Sequence, residues 1–136
     1  MQQYGEKYNF NADLWYRGED YPRIRRISKH IIKLTGSINC LIYVKARSKK
    51  PYFWGVTANR LEEIKQSGKP WAIVLLCETA QTGYFLTAND TSRYITESIW
   101  PLSIDGDYKV SPSKLRYNIP FSSFNEFIEL LLELFA

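Results

Sequence analysis

Between residues 21 and 36 the apolar positions Ile24, Ile27, Ile31 and Leu34 recur at i, i+3, i+7 and i+10, the spacing of one stripe along an α-helix. Asp20 stands where an N-cap would, Pro22 falls in the first turn where its missing N–H costs nothing, and Gly36 supplies a stop. The pattern predicts an amphipathic helix with Arg25, Arg26, Lys29 and Lys33 on its polar side. Residues 38–47 (INCLIYVKAR) and 52–57 (YFWGVT) are then rich in β-branched and aromatic side chains, and Ser48-Lys-Lys-Pro51 joins them. They predict a β-hairpin with a basic tip. In its first strand Cys40, Ile42 and Val44 share one face, and Leu41, Tyr43, Lys45 and Arg47 the other.

Residues 59–67 (NRLEEIKQS) place Leu61 and Ile64 on one side of a short helix that Gly68-Lys-Pro70 ends. Residues 71–77 (WAIVLLC) do not alternate, which predicts a strand covered on both faces, in the middle of the sheet. Gln81-Thr-Gly83 turns this strand into Tyr84-Phe-Leu-Thr87 as a second hairpin, and Asn89-Asp90 caps a helix reaching about residue 98. Three turn signals in residues 99–114 leave room for at most one short strand. Ser123-Phe-Asn-Glu126 is a capping box, and Phe124, Phe127, Ile128, Leu131 and Leu134 form the apolar face of a closing helix. This order predicts an α+β (or α/β) protein: a single three-layer domain, residues 1–136, with a mixed central sheet flanked by helices. Residues 1–20 read as an N-terminal extension and 21–136 as the core.

Composition narrows the class. With 136 residues, 45% apolar and 24% charged, the chain buries roughly 65–70% of its unfolded surface and needs no staples. That excludes collagenous, disordered and disulfide-stapled proteins. Cys40 and Cys77 both lie in apolar runs and read as reduced core thiols. One histidine, His30, and no Cys-x-x-Cys pair leave no recognisable zinc site. The first residues lack a basic stretch followed by an apolar one, and the longest apolar runs fall far short of the ~20 residues of a membrane span. A cytoplasmic protein with no membrane contact is expected.

The net charge of +4 hides a segregation. Residues 17–50 hold ten basic side chains against two acids, whereas residues 117–136 hold three acids and no base. Such a segment is either a polyanion surface or a solvated face with scattered ion pairs. Aromatics interleave with it: Tyr16-Arg17, Tyr43 near Lys45, and Lys50 before Tyr52 and Trp54. Rings that stack on unpaired bases beside cations that hold phosphates suit a single strand, although an aromatic-rich core accounts for such rings equally well.

One strand carries a chemical suggestion. Leu41-Ile-Tyr43-Val-Lys45, the aromatic strand at 52–57, the helix after it, Lys69-Pro-Trp-Ala-Ile-Val-Leu-Leu76, Gly83-Tyr-Phe-Leu86 and the helix after Pro120-Phe121 follow one another across residues 38–134. This succession resembles the PD-(D/E)xK restriction-endonuclease-like superfamily, including small domains of restriction and phage-defence systems. In those nucleases an upstream Asp and a Glu-x-Lys strand hold Mg²⁺, and the Lys positions or polarises the nucleophile. The resemblance carries over Lys45 alone as a candidate catalytic residue. Tyr43 occupies the second carboxylate's place, and no acid lies between Gly36 and Lys45. Asp13, Glu19 or Asp20 would have to approach from the N-terminal segment. Other sites are weaker: His30 sits alone on a helical pattern, neither cysteine has a visible base, and Asp105-Gly-Asp107 reads as a turn.

The expected function is therefore nucleic-acid binding of restriction or phage-defence type, without metal-dependent cleavage and without a cofactor. DNA is the expected partner, bound by Arg23, Arg25, Arg26, Lys29, Lys33, Lys45, Arg47, Lys49 and Lys50, with a homodimer or a larger defence complex as the setting. Two alternatives stand beside it. One is an active Mg²⁺-dependent nuclease with displaced acidic ligands, and the other is an interaction subunit that docks an acidic partner.

Overall fold

The computed structural model describes residues 7–16, 19–21, 31–79, 81–115 and 119–136. Nine strands and three helices lie within them: β1 Phe10–Tyr16, β2 Glu19–Tyr21, β3 Ile31–Gly36, β4 Cys40–Arg47, β5 Trp54–Thr57, α1 Ala58–Gln66, β6 Trp71–Cys77, β7 Gly83–Thr87, α2 Ala88–Thr96, β8 Asp107–Val110, β9 Ile119–Phe121 and α3 Phe124–Phe135. Seven strands form one mixed sheet in the order β2-β1-β3-β4-β6-β7-β9. Only the β4–β6 pair is parallel, and α1 lies in the connection between its two strands. The remaining neighbours in this sheet are antiparallel.

Strand alternation divides the core into two. Cys40, Ile42, Ala72, Val74 and Phe85 join Phe127, Ile128 and Leu131 of α3 on one face. Leu41, Tyr43, Ile73, Leu75 and Leu86 join Leu61 and Ile64 of α1 and Tyr94 of α2 on the other. The result is a three-layer α+β domain with the sheet in the middle. On the α1 side, β5 and β8 form a separate two-stranded sheet whose Trp54, Val56 and Val110 complete that core.

The closing helix follows its sequence signal. The Ser123 hydroxyl accepts from the Glu126 N–H at 3.2 Å, and a Glu126 carboxylate oxygen accepts from the Ser122 N–H at 2.7 Å. The Ser123 oxygen thus satisfies one first-turn amide, as in a capping box, while Glu126 reaches back to the amide just before the cap. In α2 the cap is Thr87, whose hydroxyl accepts from the Asp90 N–H, so the start expected at Asn89-Asp90 lies two residues early.

Three expectations are corrected. Residues 31–36 are strand β3 and not the end of a helix, because Ile31 faces the α1 side and Leu34 the α3 side. A strand buried on both faces shows apolar residues three apart as readily as a helix does. The rest of that predicted helix, residues 22–30, lies outside the described residues. Second, β4 and β5 do not pair: β4 lies between β3 and β6, and β5 pairs with β8. Third, residues 10–16, expected in an extension, form β1, an integral strand with Phe10 and Trp15 buried.

Gly83 is required by the sheet itself. A Cβ there would lie 2.2 Å from the backbone oxygen of Leu75, on the neighbouring β6.

Candidate nucleic-acid interface

Because β4 and β6 are parallel, they end side by side, Arg47 level with Cys77. Burial falls away along β4: residues 40–43 are buried, Lys45 and Arg47 are half-buried, and residues 48–51 are exposed. Arg47 sits over Phe53, its guanidinium carbon 3.8 Å from the ring centroid, and its Nε donates to the Lys49 carbonyl at 3.3 Å. Phe53 stays 48% exposed, unusually open for a large ring. The Arg47 carbonyl accepts from the Glu78 N–H at 2.8 Å, which ties the loop after β6 to the end of β4. Lys45, Arg47, Lys49 and Lys50 therefore gather at one strand end beside an exposed aromatic ring.

Lys45 points to the α1 side, as its alternation with Tyr43 requires. Burial lowers its pKa below the ordinary lysine value, and the Asp107 carboxylate at the start of β8 acts in the opposite direction. Asp107 stands 62 positions away in sequence, so no spacing signal links the two. Tyr43 is fully buried, and its hydroxyl oxygen accepts from the Thr57 N–H at 3.2 Å. The place of the second carboxylate is thus taken by a neutral side chain that anchors the start of α1.

The acids expected to replace it stand elsewhere. Asp13 is level with Lys33, which pairs with Leu41, four residues before Lys45, or roughly 13 Å along the strand. Glu19 and Asp20 are on β2, three strands from β4, or about 14 Å across the sheet. Among the described residues, no three of His, Cys, Asp and Glu gather as a metal site would need. Asp105 is a turn residue, as expected: it accepts from Ser103, Lys109 and the Asp107 N–H, and these bonds hold its pKa down at about 2. Cys40 and Cys77 are buried free thiols, and burial pushes Cys40 up to about 12.

Of the nine predicted contact residues, five lie among the described residues. Lys33 sits beside Lys69 at the opposite end of β4 from Arg47, about 20 Å away by strand rise. Arg23, Arg25, Arg26 and Lys29 lie outside the described residues. Four of the nine, Lys45, Arg47, Lys49 and Lys50, stand together.

Beside them opens a cleft of about 620 Å³, bounded by Tyr52, Glu78, Tyr84 and Phe121, with Lys50 on its lining. The Tyr52 hydroxyl donates to the Glu78 carboxylate, and this bond raises the Tyr52 pKa to about 12. Tyr52 stacks on Trp54, whose indole N–H donates to the Leu76 carbonyl at 3.1 Å. Tyr84 meets Trp54 edge-on. The sequence showed the rings and the cations, but not that Glu78 joins them from the end of another strand.

Fold and site together describe a single α+β domain with a cationic, aromatic strand end. Comparison with protein-family models finds no match, and searches of curated proteins and of solved structures return none either. No helix among the described residues is long and apolar enough to cross a membrane.

Proposed function

We propose that the chain is a cytoplasmic nucleic-acid-binding domain of restriction-endonuclease-like kind, which grips DNA at the end of β4 and does not cut it through a metal. One observation carries this: Lys45, Arg47, Lys49 and Lys50 stand at one strand end beside the exposed ring of Phe53. A guanidinium held over a ring is pre-set to offer its N–H edge to a phosphate, while lysines on the same loop add charge without fixed geometry. The ring offers a face to a base. The fully buried Tyr43 and the distance of Asp13, Glu19 and Asp20 from Lys45 speak against a nuclease centre of the Glu-x-Lys kind. DNA is the partner this reading favours, with a homodimer or a larger defence assembly as the setting.

The test is fluorescence anisotropy with labelled single-stranded and duplex DNA over a salt series, in EDTA and then in Mg²⁺, followed by a gel. Salt-steep binding with intact DNA is the expected result. Mg²⁺-dependent cleavage would restore the nuclease alternative. Absence of binding at low salt would leave the strand end as a docking surface for an acidic protein.

A further inference from the structure

The cleft beside the basic strand end has a chemistry of its own. Tyr52, Tyr84 and the almost fully buried Phe121 supply its aromatic lining, Lys50 a cation, and Glu78 and Glu126 two carboxylates, of which Glu126 is engaged by the Ser122 N–H. Glu78 has φ of 64°, in the left-handed region that residues other than glycine seldom adopt and that clusters at binding sites. Its backbone is held there by the bond from its N–H to the Arg47 carbonyl, and its carboxylate by the Tyr52 hydroxyl. An acid this fixed, among rings and next to a cation, suits a flat ligand that carries hydrogen-bond donors on its edge and a negative charge at one end.

We infer that this cleft receives one unstacked base of a single-stranded nucleic acid, and that Glu78 selects a base with an amino group on its pairing edge, cytosine before thymine. This rests on the nucleic-acid function proposed above and adds the form of the strand and the base read. Stacking on tyrosine and phenylalanine tolerates any base. Selection comes from the carboxylate, which accepts from the cytosine amino group as acids do in base recognition. Thymine presents a carbonyl oxygen at the same position, and two acceptors repel. A base within a duplex has its pairing edge occupied and both faces stacked, so it cannot enter. Lys50 holds the phosphate next to the bound base, and Lys49 and Arg47 continue the backbone path along the same loop.

The experiment measures binding of the full chain to oligo(dC), to oligo(dT) of equal length and to a blunt duplex, at one low salt concentration. Oligo(dC) is expected to bind about tenfold tighter than oligo(dT), the ratio that one discriminating base contact supplies. Glu78→Gln, at an exposed position, keeps the shape but lets an amide donate to the thymine carbonyl, so the preference is expected to vanish or invert. Tyr84→Ala should weaken both strands at least about fivefold. Equal affinity for the two strands, unchanged by Glu78→Gln, overturns the base-reading role. If neutralising Arg47, Lys49 and Lys50 still abolishes binding in that case, the nucleic-acid function survives. If neither strand nor the duplex binds, the proposed function itself fails, and the cleft inference with it.

Discussion

Neutralising the end of β4 by Arg47→Gln, Lys49→Gln and Lys50→Gln together should change the salt dependence of DNA binding by an amount the structure sets. Lys45, Arg47, Lys49 and Lys50 make four phosphate contacts at most, which contribute about −3.6 to the slope of log affinity on log salt for duplex and about −2.8 for a single strand. Through these contacts a rise from about 50 to about 200 mM salt weakens duplex binding about 150-fold and single-strand binding about 50-fold. The triple variant keeps Lys45 of these four, so the slope should become shallower by about 2.7 for duplex, or about 2.1 for a single strand. Lys33→Gln with Lys69→Gln removes two charges from the opposite end of the sheet and should leave the slope where it was. Anisotropy titrations at several salt concentrations read both variants. Loss of the Arg47 contact with Phe53 costs only about 0.5–1 kcal/mol of stability at such an exposed site, and a thermal melt checks that the variant is folded. The reasoning is refuted if the slope of the triple variant equals that of the wild type, or if the Lys33 and Lys69 pair flattens it as much.

Ser123→Ala should cost about 1 kcal/mol by removing the oxygen that caps α3, read as a lower urea midpoint, and an unchanged midpoint would sink the assignment of that cap. Tyr43→Phe should cost about 1 kcal/mol, since the half-buried Thr57 N–H loses its acceptor, again by urea melt. A variant as stable as the wild type would mean that this hydroxyl anchors nothing. The buried Cys40 thiol ionises near 12 when folded against an ordinary value of 9.0. The unfolded chain therefore releases this proton first, so the stability it contributes is complete below pH 9.0 and declines as pH rises toward 12. The decline is at most about 1.4 kcal/mol per pH unit, and burial also raises the pKa of Cys77, which adds to the loss. Denaturation on either side of pH 9.0 should show a shallower alkaline loss in Cys40→Val, and equal losses in both proteins would contradict the burial of Cys40.

Elements whose signals are local were readable along the chain, and those that depend on distant partners were not. The capping box and apolar face of α3, the Leu61 and Ile64 side of α1, and the unbroken apolar run of β6 each follow from neighbours within a few residues. Strand β3 was masked because Ile31 and Leu34 serve opposite faces, and a period of two disappears when both faces are covered. The pairing of β5 with β8 joins Trp54 to Val110 across more than fifty residues, and nothing in Ser48-Lys-Lys-Pro51 specifies it. The same limit governs the site. Lys45, Arg47, Lys49 and Lys50 are close in sequence and stood out there, whereas Asp107 beside Lys45 and Glu78 against Tyr52 are brought in by the sheet order alone. Tyr43 stood out in the sequence as a tyrosine two residues before Lys45, and the structure buries it completely.

Strand β9 has a consequence for how this protein meets others. It forms one border of the seven-stranded sheet, it is three residues long, and its middle residue is Pro120, level with Tyr84. Proline has no amide hydrogen, so this border lacks a donor at the position where an added strand would most need one. Natural sheets use short, proline-bearing borders to keep neighbouring molecules from zipping on and polymerising. On this flank the sheet is closed to growth, and a partner that docks here must be recognised through side chains and loops.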